Sequence, residues 1–520
     1  VKRIILISLF LLCASSAHAT TYYWAQTAAS QTCNGGTHTT VTTSTILSTT
    51  LAPDDVVVQC GTITFSANDF AFAFGQSGTS GHVITLMGES GAHLLTSPAW
   101  NPNGAISLGG RSFVRVTNMN LTATANGSGL ANQLNSMGIQ MSGASDYEID
   151  HNSITHLYDH TSTTDVTPDV QVAGCLYANG VGNNILIHDN TLSDGPWCIN
   201  LQFSAPASNL QIYNNDISRV PHAIVLGGTS SSPGGALSNV KIYGNYVHDN
   251  GNWGTTTGSY HIAGFHFYGV PGNTSISGLQ VYNNKFDGTW GNAACPTDPG
   301  SCITAFVFEE AGTSEASISG QAFFNNLGIS DAPINNGIFG IYSGSGSIIV
   351  NNTMICSTTT TGICFGTNTN LTGLVFRNNV MTTANQLILS VATYASLSPN
   401  KNVYANGGGN AFVCNGNFYT FGQFTNWKSC VGSAGDALSL APVTATLSSV
   451  GVPQTGSVAI GLGDNLTSTY CGTYAAMCSD INGSARPSGS TAWDSGALNS
   501  GGAPPPTPAP PTGLHVISIQ

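Results

Sequence analysis

One phrase recurs along this chain and decides most of what it can fold into: apolar, any, apolar, any, a turn residue, then Asn. It reads Tyr147-Glu148-Ile149-Asp150-His151-Asn152, then Ile185-Leu186-Ile187-His188-Asp189-Asn190. It returns as Leu210-Gln211-Ile212-Tyr213-Asn214-Asn215 and Val240-Lys241-Ile242-Tyr243-Gly244-Asn245. Later copies end at Asn284, Asn326, Asn352, Asn379 and, more loosely, Asn406; Val114-Arg115-Val116-Thr117-Asn118 is a degenerate earlier one. From Asn190 the intervals are 25, 30, 39, 42, 26, 27 and 27 residues, so the shortest sets one unit and the longer ones carry insertions. Alternate residues of each short strand point to one side and fill a core. Asn tolerates the left-handed backbone of a tight turn, and stacked Asn side chains bond to one another as a ladder. One such unit cannot bury its own apolar face, so many must stack into a solenoid.

Composition narrows the function. Only 7% of residues are charged, while apolar residues make up 41% and recur nearly throughout, so the chain is not disordered. Glu and Lys are scarce, which argues for strand over helix. Twenty-four acidic residues stand against 11 Lys and Arg, a net charge of −13. Phosphate recognition needs a basic face, so no nucleic-acid partner is expected. A polyanionic glycan is disfavoured too, unless a metal ion intervenes.

Lys2 and Arg3 precede an apolar run, and Ala17-His18-Ala19 fits a small-x-small cleavage rule, so 1–19 reads as a signal peptide. The run is too short to span a membrane. Setting Cys13 aside leaves an even number of cysteines in an exported chain, which favours disulfides. Near neighbours suggest Cys33–Cys60, Cys175–Cys198, Cys295–Cys302, Cys356–Cys364, Cys414–Cys430 and Cys471–Cys478. There is no Cys-x-x-Cys, and the thirteen His have no ligand spacing, so neither a metal nor a cofactor is expected.

The repeats, the segment Leu51-Ala52-Pro53-Asp54-Asp55 with Gly61-Thr62, and the segment Phe424, Trp427, Asp480-Ile481-Asn482-Gly483, Arg486-Pro487 together resemble the right-handed parallel β-helix superfamily. That superfamily of secreted proteins includes pectate lyases and polygalacturonases. The resemblance implies an all-β fold: a single-stranded right-handed parallel β-helix of about ten coils with capping segments at both ends. It divides the chain into a leader (1–19), an N-terminal cap with the first coils (20–110), the repeats (111–416), a closing segment (417–500) and a Pro-rich tail (501–520).

The resemblance also places a binding groove on the sheet whose strands fall near 138–141, 175–178, 198–203, 223–227, 264–268 and 305–310. Strict alternation then points Gln140, Tyr177, Asn200, Gln202, Val225, His266, Tyr268, Val307 and Glu309 outward, with His222 just ahead of its strand. A second column lies four residues past each ladder Asn: His156, Asp194, Arg219, Asp249 and Gly288. Asp194 and Asp249, two coils apart, would sit near the separation of an inverting glycosidase pair, although Arg219 between them would lower both pKa values. A salt-bridge ladder is the alternative. Trp253 and Trp290, with Tyr158 and Trp197, are candidate sugar platforms or packing between coils.

The expected function is therefore a secreted, monomeric carbohydrate-active protein that binds extracellular polysaccharide along this groove and, as an enzyme, hydrolyses it. Glu309, Asp194, Asp249 and His266 are the catalytic candidates. Tyr177, Asn200, Gln202, Arg219, His222, Trp253, Tyr268 and Trp290 are the substrate-binding candidates. A non-catalytic adhesin or structural envelope protein stays open, as does a polysaccharide lyase. The polygalacturonase signatures are absent, so no catalytic residue carries over from that family.

Overall fold

The computed structural model is a parallel β-helix. It describes residues 19–500 except 66–69, 97–103, 124–136, 158–173, 196, 229–234, 251–261, 269–274, 291–303, 310–316, 331–338, 342–343, 357–363, 367–370, 383–388, 391–396, 406–408, 410, 415, 431–437 and 444. The proposed leader, Trp253, the Cys295–Cys302 pair and the Pro-rich tail lie outside the described residues.

Each coil gives one strand to each of three sheets. The sheet A strand precedes the ladder Asn, the sheet B strand follows it, and the sheet C strand comes after a second turn. Three consecutive coils run Ile185–His188, Thr191–Ser193, Trp197–Phe203; Ala207–Tyr213, Asp216–Ser218, His222–Gly228; and Ala236–Tyr243, Tyr246–His248, Ile262–Tyr268. The coils pair in parallel and in register, Ile185 beside Leu210 beside Val240 and Ile187 beside Ile212 beside Ile242. These side chains are almost wholly buried, with Leu192, Ile217 and Val247 from sheet B and Ile199, Ile224, Leu201 and Leu226 from sheet C, in one continuous core. Alternation in sequence has become one long apolar interior.

The Asn ladder and the left-handed turn are two jobs done by neighbouring residues. The left-handed position is the residue before each ladder Asn: His151, Asp189, Asn214, Asn283, Asn325, Asn351 and Asn378 have φ of 52–56°. The ladder Asn itself satisfies buried backbone. Asn215 Nδ2 donates to Ile187 O (3.1 Å), Tyr213 O (3.0 Å) and Asn245 Oδ1 (2.9 Å), while its Oδ1 accepts from Asn190 N (3.2 Å) and Asn190 Nδ2 (2.9 Å). The last rung departs from the sequence expectation. Asn379 bonds to Asn402, 23 residues on, not to Asn406. The final coil is shorter than the sequence interval suggested, and its turn residue is Lys401 (φ 57°).

Both ends are closed. Trp24 packs against Phe72 at the N-terminal end, beside the helix Thr43–Ser48. At the other end the helix Phe424–Cys430 inserts Phe424 and Trp427 against Tyr404 and Phe412. Leu440–Val443 adds the last strand of sheet B, and residues 445–500 then return along the outside of the corner between sheets A and B. Leu466, Met477 and Trp493 pack on Ala322, Phe324 and Val350. Buried Arg486 pins this segment: Nη2 donates to Asn325 Oδ1 (3.0 Å) and Gly496 O (2.8 Å). Five expected disulfides are formed: Cys33–Cys60, Cys175–Cys198, Cys356–Cys364, Cys414–Cys430 and Cys471–Cys478. Among the described residues no helix is long and apolar enough to cross a membrane.

Candidate functional site

The outer face of sheet C gathers most of the groove candidates. Gln140, Tyr177, Asn200, Val225 and His266 are partners across five successive strands, as are Asn179, Gln202, Gly227 and Tyr268 across four. Tyr268 Oη donates to Gln202 Oε1 (2.8 Å), and Gln202 Nε2 donates to Asn200 Oδ1 (2.6 Å). Beside this chain runs a line of rings. Trp197 packs on His222 (centroids 4.6 Å apart), His222 stacks on His266 (5.2 Å) and His266 touches Tyr268 (5.1 Å). Trp197, His222 and His266 are each 1% exposed and Asn200 is fully buried. They form the supporting layer, and half-buried Tyr177 and Tyr268 are the parts that reach solvent. Burial pushes the Tyr177 hydroxyl pKa up, so it is a hydrogen-bonding neutral phenol. The register that aligns these side chains comes from buried alternation alone, because a one-residue slip would turn every one of them inward.

In the register of the next strand, Phe308 and not Glu309 pairs with His266, and Glu309 pairs with Phe267; the Glu309 side chain lies outside the described residues. Val307 pairs with Phe265 and is buried, not outward. Hydrogen bonding to the previous coil, not alternation within one strand, sets the register after the long interval that follows Asp287. Trp290 is corrected as well. It is fully buried within the coil, edge-on to Phe306 (4.3 Å) and Phe286 (6.3 Å), and offers no face to a sugar.

The second column forms as expected, as left-handed residues at the B–C turn: His156, Asp194, Arg219 and Asp249 have φ of 52–56°, and Gly288 75°. Its chemistry is that of ion pairs. Arg219 Nε and Nη2 donate to the two Asp194 oxygens (2.8 and 2.7 Å), Nη2 also reaches Ser193 Oγ (3.0 Å), and Ser193 donates to Asp194 (2.7 Å). Asp249 accepts from Thr289 N (3.0 Å) and faces His248 Nδ1 at 2.6 Å. Burial works against its charge, but His248, the Thr289 N–H and the Arg219 charge hold its carboxyl below the usual range. A glycosidase acid must stay protonated near neutral pH. Asp194 is clamped by a guanidinium, and Asp249, held below the usual range, is not suited to be the acid of such a pair. The column leads straight into the ring layer, since Trp197 is three residues past Asp194 and His222 three past Arg219.

Sequence reading missed the groups beside this column. On the outer face of sheet B, His248 lies between Asp249 and Asp216, with Nε2 2.9 Å from Asp216 Oδ1. Tyr246 stacks on His248 (4.2 Å), and Lys285 lies over the Tyr246 ring (4.5 Å) and pairs with Asp287 (2.7 Å). At the A–B corner, Arg115 clamps buried Asp150 (2.7 and 2.6 Å), and His188 bridges Glu148 (2.9 Å) and Asp189 (2.7 Å). Burial opposes charge on His188, yet the bonds to Asp189 and Glu148 raise its pKa to about 9. These residues stand one and three positions past, or one to four before, each ladder Asn. Tabulating those columns would have found them.

Among the described residues, the only cluster of potential metal ligands within reach of one another is Cys33, Cys60 and Glu89. Cys33 and Cys60 are joined as a disulfide, so no thiolate is there to bind.

No family model matches this chain, and no curated protein sequence does. Among solved structures it is similar to XylC in complex with xylose (10% identity, TM-score 0.44, covering 77% of this chain and 86% of that one). It is similar to pectate lyase Pel9A (14% identity, TM-score 0.39, 92% and 96%). A third similar structure is the lacto-N-biosidase of family GH136 from Eubacterium ramulus (14% identity, TM-score 0.44, 76% and 64%).

Proposed function

We propose that this chain is a secreted carbohydrate-binding protein that takes an extracellular polysaccharide across the outer face of sheet C, between Tyr177 and Tyr268. The observation that carries this reading is the hydrogen-bonded line Tyr268–Gln202–Asn200, flanked by Trp197, His222 and His266. Polar groups fixed by a packed layer, with aromatic edges beside them, suit sugar hydroxyls and the apolar faces of sugar rings. The longest sequence intervals between a sheet B strand and the next sheet C strand, from Ala123 to Met137, Thr155 to Gly174, His248 to Ile262 and Asp287 to Thr304, lead to strands of this face. Loops on a rigid scaffold are where binding is commonly carried. Five disulfides suit an oxidising, extracellular setting. Binding is favoured over hydrolysis because Asp194 is clamped by the Arg219 guanidinium and the Asp249 carboxyl is held below its usual range.

The test is affinity electrophoresis against a panel of neutral and uronate polysaccharides, with reducing-end and unsaturated-uronate assays in parallel. At least one polysaccharide is expected to retard the protein, and Tyr268→Ala and Gln202→Ala should weaken that binding about tenfold, or ~1.4 kcal/mol. Turnover in either assay would replace the binding reading with an enzymatic one. Unchanged binding in both variants would remove the site from sheet C.

A further inference from the structure

The closing segment demonstrates what the corner between sheets A and B binds. Three columns grip it. In the turn column, Asn325 Nδ2 donates to Ala476 O (3.2 Å) and Ser479 O (2.8 Å). Asn378 Nδ2 donates to Asp464 O (2.9 Å), and its Oδ1 accepts from Asp464 N (2.8 Å). In the outer sheet A column, Phe324 and Val350 pack on Leu466, Met477 and Trp493. In the outer sheet B column, Leu327 packs on Val452 and Leu498, and Thr353 Oγ1 accepts from Ala497 N (2.9 Å). Turn-column amides hold peptide groups, and the flanking columns hold apolar side chains. The corner thus holds both peptide groups and apolar side chains of the closing segment, there presented largely by short helical turns, Thr467–Tyr470 and Ala475–Cys478.

The same columns continue onto the preceding coils. The turn column becomes Asn283, Gly244 and Asn214, with Asn214 exposed. The sheet A column becomes Tyr282, Tyr243 and Tyr213, with neighbouring rings stacked 4.8 Å apart and half-buried. Asn283 Oδ1 is buried and has no hydrogen-bond partner among the described residues, whereas the matching oxygen of Asn325 holds Arg486. No described hydrogen bond or ring contact joins Tyr213, Tyr243 or Asn214 to the closing segment. Near its end Leu498 packs on Leu327, which pairs with Lys285 of the preceding coil, and Asn499 N and Ser500 N donate to Asp480 and Asp494. Residues 501–520 follow, with Pro at 504–506, 508, 510 and 511 and apolar Leu514, Val516, Ile517 and Ile519.

We propose that residues 501–520 extend the closing segment along this corner and dock over Tyr282, Tyr243 and Tyr213, with Asn283 and Asn214 holding their peptide groups. A Pro-rich segment loses little entropy on docking to an aromatic surface, and without N–H donors it does not compete as a strand. Twenty residues of polyproline II reach about 60 Å, while the corner from Phe324 to Tyr213 spans three coil steps, about 15 Å. Tethering supplies millimolar effective concentration, so even a weak contact is populated.

Nitration of Tyr213 and Tyr243, read by peptide mapping, tests this in the full chain and in a chain ended after Ser500, with Tyr470 as internal reference. A docked state occupied about nine-tenths of the time protects about tenfold, so the shortened chain should react about tenfold faster, and a synthetic 501–520 peptide should restore protection. The full chain carrying Pro505→Ser, Pro508→Ser and Pro511→Ser should react at an intermediate rate, which keeps the test valid if shortening disturbs folding. Equal rates in all forms overturn the proposal. Protection of the full chain that grows with protein concentration also overturns it, and assigns the corner to a second copy.

Discussion

Coils 148–287 and coils 322–405 share one backbone plan and differ in what their outer corner carries. In the first stretch, the outer positions of sheets A and B hold Glu148, Asp150, His188, Asp216, His248, Lys285 and Asp287, with pairs across coils at Arg115–Asp150, Glu148–His188 and Asp216–His248 and within one coil at Lys285–Asp287. In the second, the same columns hold Phe324, Val350, Leu327, Val380 and Val403, covered by residues 445–500. The inward residues and the Asn ladder run through both without change. The fold is thus written on inward positions, while outward positions decide whether a coil meets solvent and ligands or other chain. Charge pairing across coils and apolar cover are two solutions to the same edge, and they should fail differently.

The largest effect is expected at the covered corner. Arg486→Ala removes donors to Asn325 Oδ1, Gly496 O and Ser479 O and leaves their acceptors buried. A loss of about 3–5 kcal/mol is expected in denaturant titration. Phe324→Ala should cost about 3–5 kcal/mol by cavity formation. Tyr243→Ala, in the same column but half-exposed, should cost about 1–2 kcal/mol. Equal costs for the two would mean that cover contributes nothing and would remove the contrast between the regions.

How much of this was legible depended on distance along the chain. The solenoid was readable because each inward alternation and each ladder Asn is a local pattern, and five disulfides followed from neighbouring cysteines. The alignment of Tyr177, Asn200, His266 and Tyr268 followed from the same period. The pairing of Phe308 with His266 did not, because register after an insertion is fixed by pairing to the coil before. Nor did the closing segment: Asn325 and Arg486 meet 161 residues apart, and no spacing in the sequence announces such a contact. Trp290 looked like a platform because its indole had no visible neighbour until Phe306 folded onto it.

A middle-sized effect depends on pH and belongs to the charged stretch alone. His188 is raised from 6.5 to about 9 when folded. Its contribution is complete below the unfolded value and is lost as pH rises through the folded one, so stability should fall between about 6.5 and 9. At pH 6 the contribution is on the order of 2–3 kcal/mol. Asp150 and Asp189 are held below their usual range, against burial, by Arg115 and His188 respectively. Their contribution is present above the unfolded carboxylate value and is lost on acidification. Melting curves across pH should therefore show a plateau flanked by two declines. His188→Gln should flatten the alkaline decline while sparing most of the acid one. An alkaline limb unaltered by that substitution would mean the ion pairs at this corner do not hold the coils together.

The smallest stability effect is expected at Arg219, and it separates holding from binding most sharply. Its side chain is 48% exposed while that of Asp194 is 11% exposed. Solvent screens such a pair, so Arg219→Gln should cost only about 0.5–1 kcal/mol despite its bidentate geometry. The clamp nonetheless fixes the turns that launch Trp197 and His222 into the ring layer. If the sheet C face binds glycan, loosening those turns should weaken binding more than it lowers stability. Arg219→Lys should not rescue it, since an ammonium cannot make the paired bonds to Asp194. The measurement is polysaccharide affinity against unfolding free energy for the two variants. A drop in affinity no larger than the drop in stability would reduce the Asp194–Arg219 pair to a staple between coils. A larger drop would tie the left-handed column of the open coils to recognition, which the covered coils, with apolar residues in the neighbouring positions, cannot share.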